Sequence, residues 1–157
     1  MKLVDISYEE LLERYAAGER DFSNCRLSGD NEIIGANLEG IILVNADLSE
    51  HDLSRTNLCR ANLSGAGLEQ ALFSHANLTG ANLCGAFLNG AIFNGANLTG
   101  AYLINALDIE FASFCQANLT NAILQNGMNE REPFILRDAI FYNTIMPDGS
   151  IRNEVIA

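Results

Sequence analysis

The residue types that most often do chemistry are sparse in this sequence and form no catalytic arrangement. There are two histidines among 157 residues. The chain carries a five-residue repeat, and His51 stands at an inward position of it, where a hydrogen-bonded core or corner histidine is expected. His75 stands at an outward, solvated position of the same repeat. No serine lies in a nucleophile elbow, and no glycine-rich stretch ends in the Lys-Ser/Thr of a phosphate loop. The sequence indicates a protein that is not an enzyme and needs no cofactor.

The four cysteines follow neither a metal-binding nor a disulfide pattern. Cys25 stands at an inward position, and the others stand at outward positions on three sides of the predicted coil: Cys59, Cys84 and Cys115. Metal ligands and disulfide partners must come within a few ångströms of one another. We therefore expect reduced thiols and no metal, as is usual in the cytoplasm.

The elements that position these residues are set by a large apolar residue at every fifth position. A helix repeats apolar residues every third and fourth position and a strand every second, so a period of five fits neither. Alanine usually stands two residues earlier, so both side chains can point inward from one short extended segment, and small or polar residues remain for a corner. Four segments make a square coil of about 20 residues, and about six coils fit the chain. The fifth positions are Leu38, Leu43, Leu48, Leu53, Leu58, Leu63, Leu68, Phe73, Leu78, Leu83, Leu88, Phe93, Leu98 and Leu103.

Residues about twenty positions apart are therefore expected to stack. One predicted column places Phe73, Phe93 and Phe114 above Leu53, with a one-residue slip near Ile109 absorbed as a bulge, and Phe141 is predicted to extend it. A second column points outward and comprises Asn37, Asn57, Asn77, Asn97 and Asn118.

The repeats themselves resemble a known family. Ala61-Asn62-Leu63-Ser64-Gly65, Ala76-Asn77-Leu78-Thr79-Gly80 and Ala96-Asn97-Leu98-Thr99-Gly100 resemble the A(D/N)LXX signature of pentapeptide repeat proteins, which are abundant in cyanobacteria. The resemblance covers about residues 20–146. It implies an all-β solenoid, the right-handed quadrilateral β-helix of that family. Because most members have no known biochemical role, it implies little about activity.

Both ends of a solenoid expose strand edges and core, so caps are expected. Ser7-Tyr8-Glu9-Glu10 is a capping-box pattern, and the apolar stripe after it predicts a helix over 7–17. Such a helix caps the first coil or docks a partner or membrane, and its acidic residues disfavour anionic lipid. The predicted organisation is a capping helix over 1–19, the repeat over 20–146 with a break at about 125–133, and a tail over 147–157 that folds onto the last coil.

Charge is gathered at the ends of the chain. The net charge is −11, divided as −8 over residues 1–52, +1 over 53–107 and −4 over 108–157, and no Asp, Glu, Lys or Arg lies between Gln70 and Leu107. A basic stripe for nucleic acid is missing. The start of the chain is not a signal peptide, and no apolar run is long enough to span a membrane. We expect a cytoplasmic protein that binds neither nucleic acid nor membrane.

Two functions follow, a protein-interaction scaffold and a mimic of DNA. For the scaffold, the expected partner surface comprises the outward apolar residues Leu72, Phe87, Ile92 and Tyr102, together with the asparagine column. The partner is an unknown protein, and a homodimer through a terminal end stays open. The resemblance supplies the alternative, because some pentapeptide repeat proteins imitate a DNA duplex, bind DNA gyrase and protect it from quinolones. The charge-free stretch is at odds with that alternative.

Overall fold

In the computed structural model the chain winds into a stack of coils with short flanking elements. The structure describes residues 2–29, 33–107, 111–125, 136–146 and 148–155. Neighbouring coils are joined by parallel backbone pairing between residues 20 apart, as between Asn57 and Asn77. The named elements are β1 (Val4–Ser7), α1 (Tyr8–Ala16), β2 (Cys25–Ser28), β3 (Thr144–Ile145) and β4 (Ile151–Arg152).

Each corner of a coil is a tight turn. The Ala61 N–H donates to the Leu58 carbonyl at 3.0 Å, and Arg60 between them has a φ of 60°. A positive φ at the third residue is the type II geometry, which glycine adopts without a Cβ penalty. Gly80, at the equivalent position one coil later, has a φ of 65°. Three extended residues and two turn residues therefore make up the period of five.

Consecutive pentapeptides occupy consecutive sides of the coil, so each side carries one outward column of residues. We name the sides faces A to D in chain order, so that face C lies between B and D, and B lies opposite D. Face A carries Asn37, Asn57, Asn77, Asn97, Asn118 and Ile140. Face B carries Asp21, Ile42, Asn62, Asn82, Tyr102, Ile123 and Ile145. Face C carries Asp5, Arg26, Asp47, Gly67, Phe87 and Leu107, and face D carries Asp52, Leu72, Ile92 and Ser113.

The interior is a stack of alanine, leucine and phenylalanine side chains. The predicted phenylalanine column is confirmed from Phe73 to Phe114: ring centroids are 4.9 Å apart between Phe73 and Phe93, and 4.8 Å apart between Phe93 and Phe114. These distances match the spacing of neighbouring strands, about 4.8 Å, so the coil spacing sets the stack. The Ile92–Ser113 pairing spans one extra residue, as the slip predicts, whereas Ile109 lies outside the described residues.

The prediction that Phe141 extends this column is wrong. The Leu119 N–H donates to the Ile140 carbonyl at 2.8 Å, which places Phe141 over Leu119 on the face A side. The Gln116 N–H donates to the Arg137 carbonyl at 2.9 Å, so the buried Leu136 follows Phe114 instead. The separation of Leu119 and Phe141 is two residues longer than the usual twenty. The predicted break at 125–133 lies between them and falls almost wholly outside the described residues.

Helix α1 lies at the N-terminal end with Leu11 completely buried in the core. Ser7 is its N-cap and accepts from the Glu10 N–H at 3.1 Å, while the Glu10 carboxylate pairs with Arg14 instead of closing the capping box. The Tyr15 hydroxyl donates to the Glu39 carbonyl at 2.7 Å, which ties the helix to a coil. Strand β1, which the sequence analysis did not predict, pairs in parallel with β2.

The described residues of the C-terminal tail, 148–155, pair with the segment just before them. Strand β4 pairs antiparallel with β3, and the Phe141 N–H donates to the Glu154 carbonyl at 2.8 Å. Antiparallel pairing covers part of a strand edge that a solenoid otherwise leaves open.

Candidate partner-binding surface

A group of apolar side chains lies along the edge between faces C and D. Leu72 pairs with Ile92 on face D, and Phe87 pairs with Leu107 on face C, each pair joining successive coils. Phe87 is 37% exposed, Leu107 45% and Phe111 72%, and the two face D residues are half-buried. We call these five residues the apolar corner. It lies on a stretch where charge is almost absent, since Gln70 to Leu107 holds no charged residue.

The structure brings together three of the four apolar residues that the sequence predicted as a partner surface. Leu72 and Ile92 stack on face D, and Phe87 lies on the adjoining face. Tyr102 is 45% exposed but lies on face B, opposite the Leu72–Ile92 pair. One flat partner cannot cover both, so Tyr102 falls outside the apolar corner.

Sequence reasoning missed Leu107 and Phe111. Leu107 follows Ala106 as Phe87 follows Ala86 twenty residues earlier, so counting from Phe87 would have found it. Phe111 lies beside the one-residue slip, where no regular position exists to predict its direction. Only the coordinates place its ring outside.

The predicted asparagine column forms a ladder of side-chain amides. Asn57 Nδ2 donates to Asn37 Oδ1 at 2.9 Å, and Asn77 Nδ2 donates to Asn57 Oδ1 at 3.0 Å. Asn97 and Asn118 continue the column, and each accepts a backbone N–H two residues on: from Thr99 to Asn97 and from Thr120 to Asn118. Amides that are already paired have less to offer a ligand, because a new bond replaces an existing one. This geometry favours a structural role for the column.

In the part of the chain that the structure describes, the histidines and cysteines occupy the separate positions that the repeat gives them. His51 is buried, and its Nδ1 donates to the Ser49 carbonyl at 2.8 Å, as expected of a corner histidine. Across the described ranges, no three residues among His, Cys, Asp and Glu converge as metal ligands. In the same part of the chain, no helix is both long and apolar enough to cross a bilayer.

Cys25 is expected to resist alkylation that modifies Cys59 and Cys84. Burial raises the pKa of the Cys25 thiol to about 11, whereas the other two thiols are partly exposed. The thiolate is the nucleophile, so at pH 8 iodoacetamide should label Cys25 only after unfolding. Mass spectrometry of labelled peptides with and without urea measures this. Equal labelling rates at Cys25 and Cys59 in the native protein would contradict the buried placement.

The same pKa shift gives a pH dependence of stability. Because the folded-state pKa of Cys25 lies above the value of about 8.5 in an unfolded chain, its contribution is fully present below pH 8.5. That contribution is lost as the pH rises towards 11. The free energy of unfolding should therefore fall over this range, and less so in Cys25→Ala.

Comparison with known proteins identifies the repeat. The family model described as pentapeptide repeats matches residues 32–70, 52–90 and 71–107, with eight copies. The chain belongs to the pentapeptide repeat family. Pentapeptide repeat proteins fold as right-handed quadrilateral β-helices, which agrees with the twenty-residue, four-sided coil of this member. They are generally structural or protein-binding.

Several solved pentapeptide repeat structures are similar to this one. Rfr23 from the cyanobacterium Cyanothece 51142 is 26% identical, with 74% of this chain and 80% of Rfr23 covered and a TM-score of 0.49. A pentapeptide repeat protein from the Arabidopsis thaliana thylakoid lumen is 29% identical, with 78% and 85% covered and a TM-score of 0.36. QnrB1, a plasmid-mediated fluoroquinolone resistance protein, is 15% identical, with 87% and 80% covered and a TM-score of 0.41. At these TM-scores the superpositions do not bear on function. No curated protein sequence matches this chain.

Proposed function

We propose that this pentapeptide repeat protein is a non-catalytic scaffold that binds another protein through the apolar corner. The observation that carries the proposal is the stacking of two exposed apolar residues on face C, Phe87 and Leu107, next to a face on which half-buried Leu72 and Ile92 stack. Single exposed apolar residues are ordinary, but clusters often mark contacts because binding removes them from water together. Phe87 and Phe111 supply the aromatic area that dominates many protein interfaces.

The filled interior supports a role without catalysis. The inward alanine, leucine and phenylalanine side chains of successive coils are almost completely buried, from Leu38 to Leu103. Small-molecule sites are usually concave clefts of about 300–1,000 Å³ with a few convergent polar groups. The close-packed coils leave their interior to side-chain packing, so recognition falls to the outer faces.

We propose that the chain forms one unit in which a cap and a tail protect the ends of the solenoid. Residues 1–19 form the N-terminal cap, 20–146 form about six coils with a break at about 125–133, and 147–157 form the tail. The buried Leu11 supports the cap. We place the protein in the cytoplasm, which suits the thiols of Cys25, Cys59 and Cys84. Its partner is a protein rather than nucleic acid or membrane, and a homodimer through a terminal end is a compatible assembly.

Paired variants of the apolar corner test the proposal. Phe87→Asn/Leu107→Asn installs the residue that faces A and B most often carry at the equivalent outward position, so the coil is expected to fold normally. Asparagine removes apolar contact area, so the variant is expected to lose a partner that the natural protein retains on affinity capture from its source cells. The matched control is Tyr102→Asn/Ile123→Asn on face B, which is expected to keep that partner. Capture of the same partner by both variants, with unchanged circular dichroism, would exclude the apolar corner.

Mimicry of DNA is the weaker alternative, because the middle of the solenoid lacks the negative charge that a duplex presents. A duplex carries a phosphate charge about every 1.7 Å along its axis, whereas Gln70 to Leu107 contributes none. The purified protein is therefore expected to leave gyrase supercoiling unchanged, with and without a quinolone, at micromolar concentration. Inhibition or protection in that assay would favour the alternative over the scaffold.

A further inference from the structure

A notch interrupts face C where the column of outward side chains has a gap. Gly67 lies between Asp47 and Phe87 in that column and contributes no side chain. The resulting hollow has a volume of about 290 Å³ and is lined by both neighbours together with Ser49 and Glu69. This volume is at the small end of the range for small-molecule sites, and the hollow is open to solvent. The hollow therefore suits a single inserted side chain.

The walls of the notch are negative on one side and aromatic on the other. Glu69 Oε2 accepts from Ser49 Oγ at 2.9 Å, and Asp47 accepts from Arg26 Nε at 3.1 Å. Burial alone raises the pKa of Asp47, but hydrogen bonds from Ser49 and Arg26 outweigh it and leave the pKa below its usual range. Both charged residues in the lining of the notch, Asp47 and Glu69, are acidic. Arg26 pairs with Asp47 from outside the lining and also lies 3.8 Å from the Asp5 carboxylate, so the notch keeps an excess of negative charge.

The apolar corner begins where the notch ends. Phe87 lines the notch, and its backbone pairs with that of Leu107 in the next coil. A positively charged group in the notch would meet carboxylates on one side and the ring of Phe87 on the other, and aromatic faces attract cations. Charge complementarity therefore favours a positively charged side chain in the notch.

We propose, resting on the scaffold function above, that the notch receives a lysine or arginine side chain of the partner protein while Leu107 contacts an apolar side chain of the same segment. Gly67 and Leu107 are two coils apart, which is about 10 Å at the spacing of neighbouring strands. An extended chain advances about 3.3 Å per residue, so the basic and apolar residues lie three positions apart in an extended segment. Arginine suits the notch well, because its planar guanidinium can pair with a carboxylate and stack on a ring.

Two synthetic peptides test the inference on the full-length, 15N-labelled protein. The first is acetyl-Gly-Ser-Arg-Ser-Ser-Phe-Ser-Gly-amide, and its twin carries Glu in place of Arg. At about millimolar peptide, the first is expected to shift the backbone amide signals of Gly67, Phe87 and Leu107, and the twin is expected to leave them in place. The shifts should weaken as salt is raised, because the charges are screened. Equal shifts from the twin, or shifts confined to other faces, would overturn the proposal.

Gly67→Asn is the sharpest variant, because it fills the notch without changing any charge. The position has no positive φ, and the three atoms nearest to an added Cβ all belong to side chains: Glu69 Oε2 at 3.1 Å, Ser49 Oγ at 3.3 Å and Asp47 Oδ1 at 3.6 Å. Asparagine is also the most frequent outward residue on faces A and B, so folding should be kept. Binding of the arginine peptide is expected to weaken at least about tenfold. Undiminished binding to the folded variant contradicts the notch.

Removing one charge gives a second, independent readout. Glu69→Gln keeps the shape of the side chain and is expected to weaken binding about fivefold, the effect of losing a partly exposed ion pair. Glu13→Gln on α1 is the matched control and should bind as the natural protein does. If Gly67→Asn and Glu69→Gln bind normally while Phe87→Asn/Leu107→Asn loses the cellular partner, the notch is wrong and the scaffold stands. If the corner variant also keeps the partner, both fail.

Discussion

Replacing Phe93 with alanine is expected to lower the free energy of unfolding by about 3–5 kcal/mol. Phe93 is fully buried, and its ring stacks between those of Phe73 and Phe114, with interplanar angles of 2° and 8°. The truncation loses the transfer free energy of the ring and leaves a cavity that coils fixed by backbone pairing cannot close. Urea unfolding followed by far-UV circular dichroism measures the change.

The matched control is Phe93→Leu, which should cost only about 1–2 kcal/mol. Leucine occupies the same column at Leu53 and Leu136, so the coil accommodates its shape. A loss for leucine as large as that for alanine would mean that ring stacking, rather than filled volume, holds this column together.

Leu11→Ala is expected to cost about 2–5 kcal/mol and to loosen the N-terminal end. Leu11 is the buried residue of α1, so its removal takes away the main apolar contact between the helix and the core. Because coils of a solenoid depend chiefly on their neighbours, the damage should be concentrated at this end. Hydrogen exchange should show loss of protection for the Val4 amide, which donates to the Asn24 carbonyl at 3.0 Å, while the Phe93 amide stays protected.

Leu12→Ala serves as the comparison, since Leu12 is only partly buried against the same core. It should cost about 1 kcal/mol and leave the Val4 amide protected. Unchanged exchange in Leu11→Ala would show that α1 does not protect the end of the solenoid.

Much of the fold could be predicted because the repeat is local. Ala61 and Leu63 point inward for the same reason that any two residues two apart share a side of an extended segment. Arg60 has a positive φ because the third residue of the corner turn requires one. The same position has a positive φ in each repeat from Gly35 to Asn105, so it could be predicted. The place of Phe141 could not be predicted in the same way, since its column depends on how many residues the preceding segment adds to one coil.

The candidate surface was predicted only in part. The pairing of Leu72 with Ile92 follows from a separation of twenty residues, and it was anticipated. The outward ring of Phe111 and the hollow at Gly67 were not, because each depends on side chains from different coils and on their rotamers. Spacing along the chain places Gly67 in the face C column, but it does not give the rotamers that shape the hollow or the direction of the Phe111 ring.

The sequence by itself therefore determined the four-sided coil, its core and its corners, because a short period acts through neighbours in the chain. The tertiary structure alone decided how side chains of different coils meet at the surface. The exposed ring of Phe111 and the hydrogen bond between Ser49 and Glu69 at the rim of the notch depend on side-chain rotamers and on the coil that holds an extra residue, which the period of five does not specify.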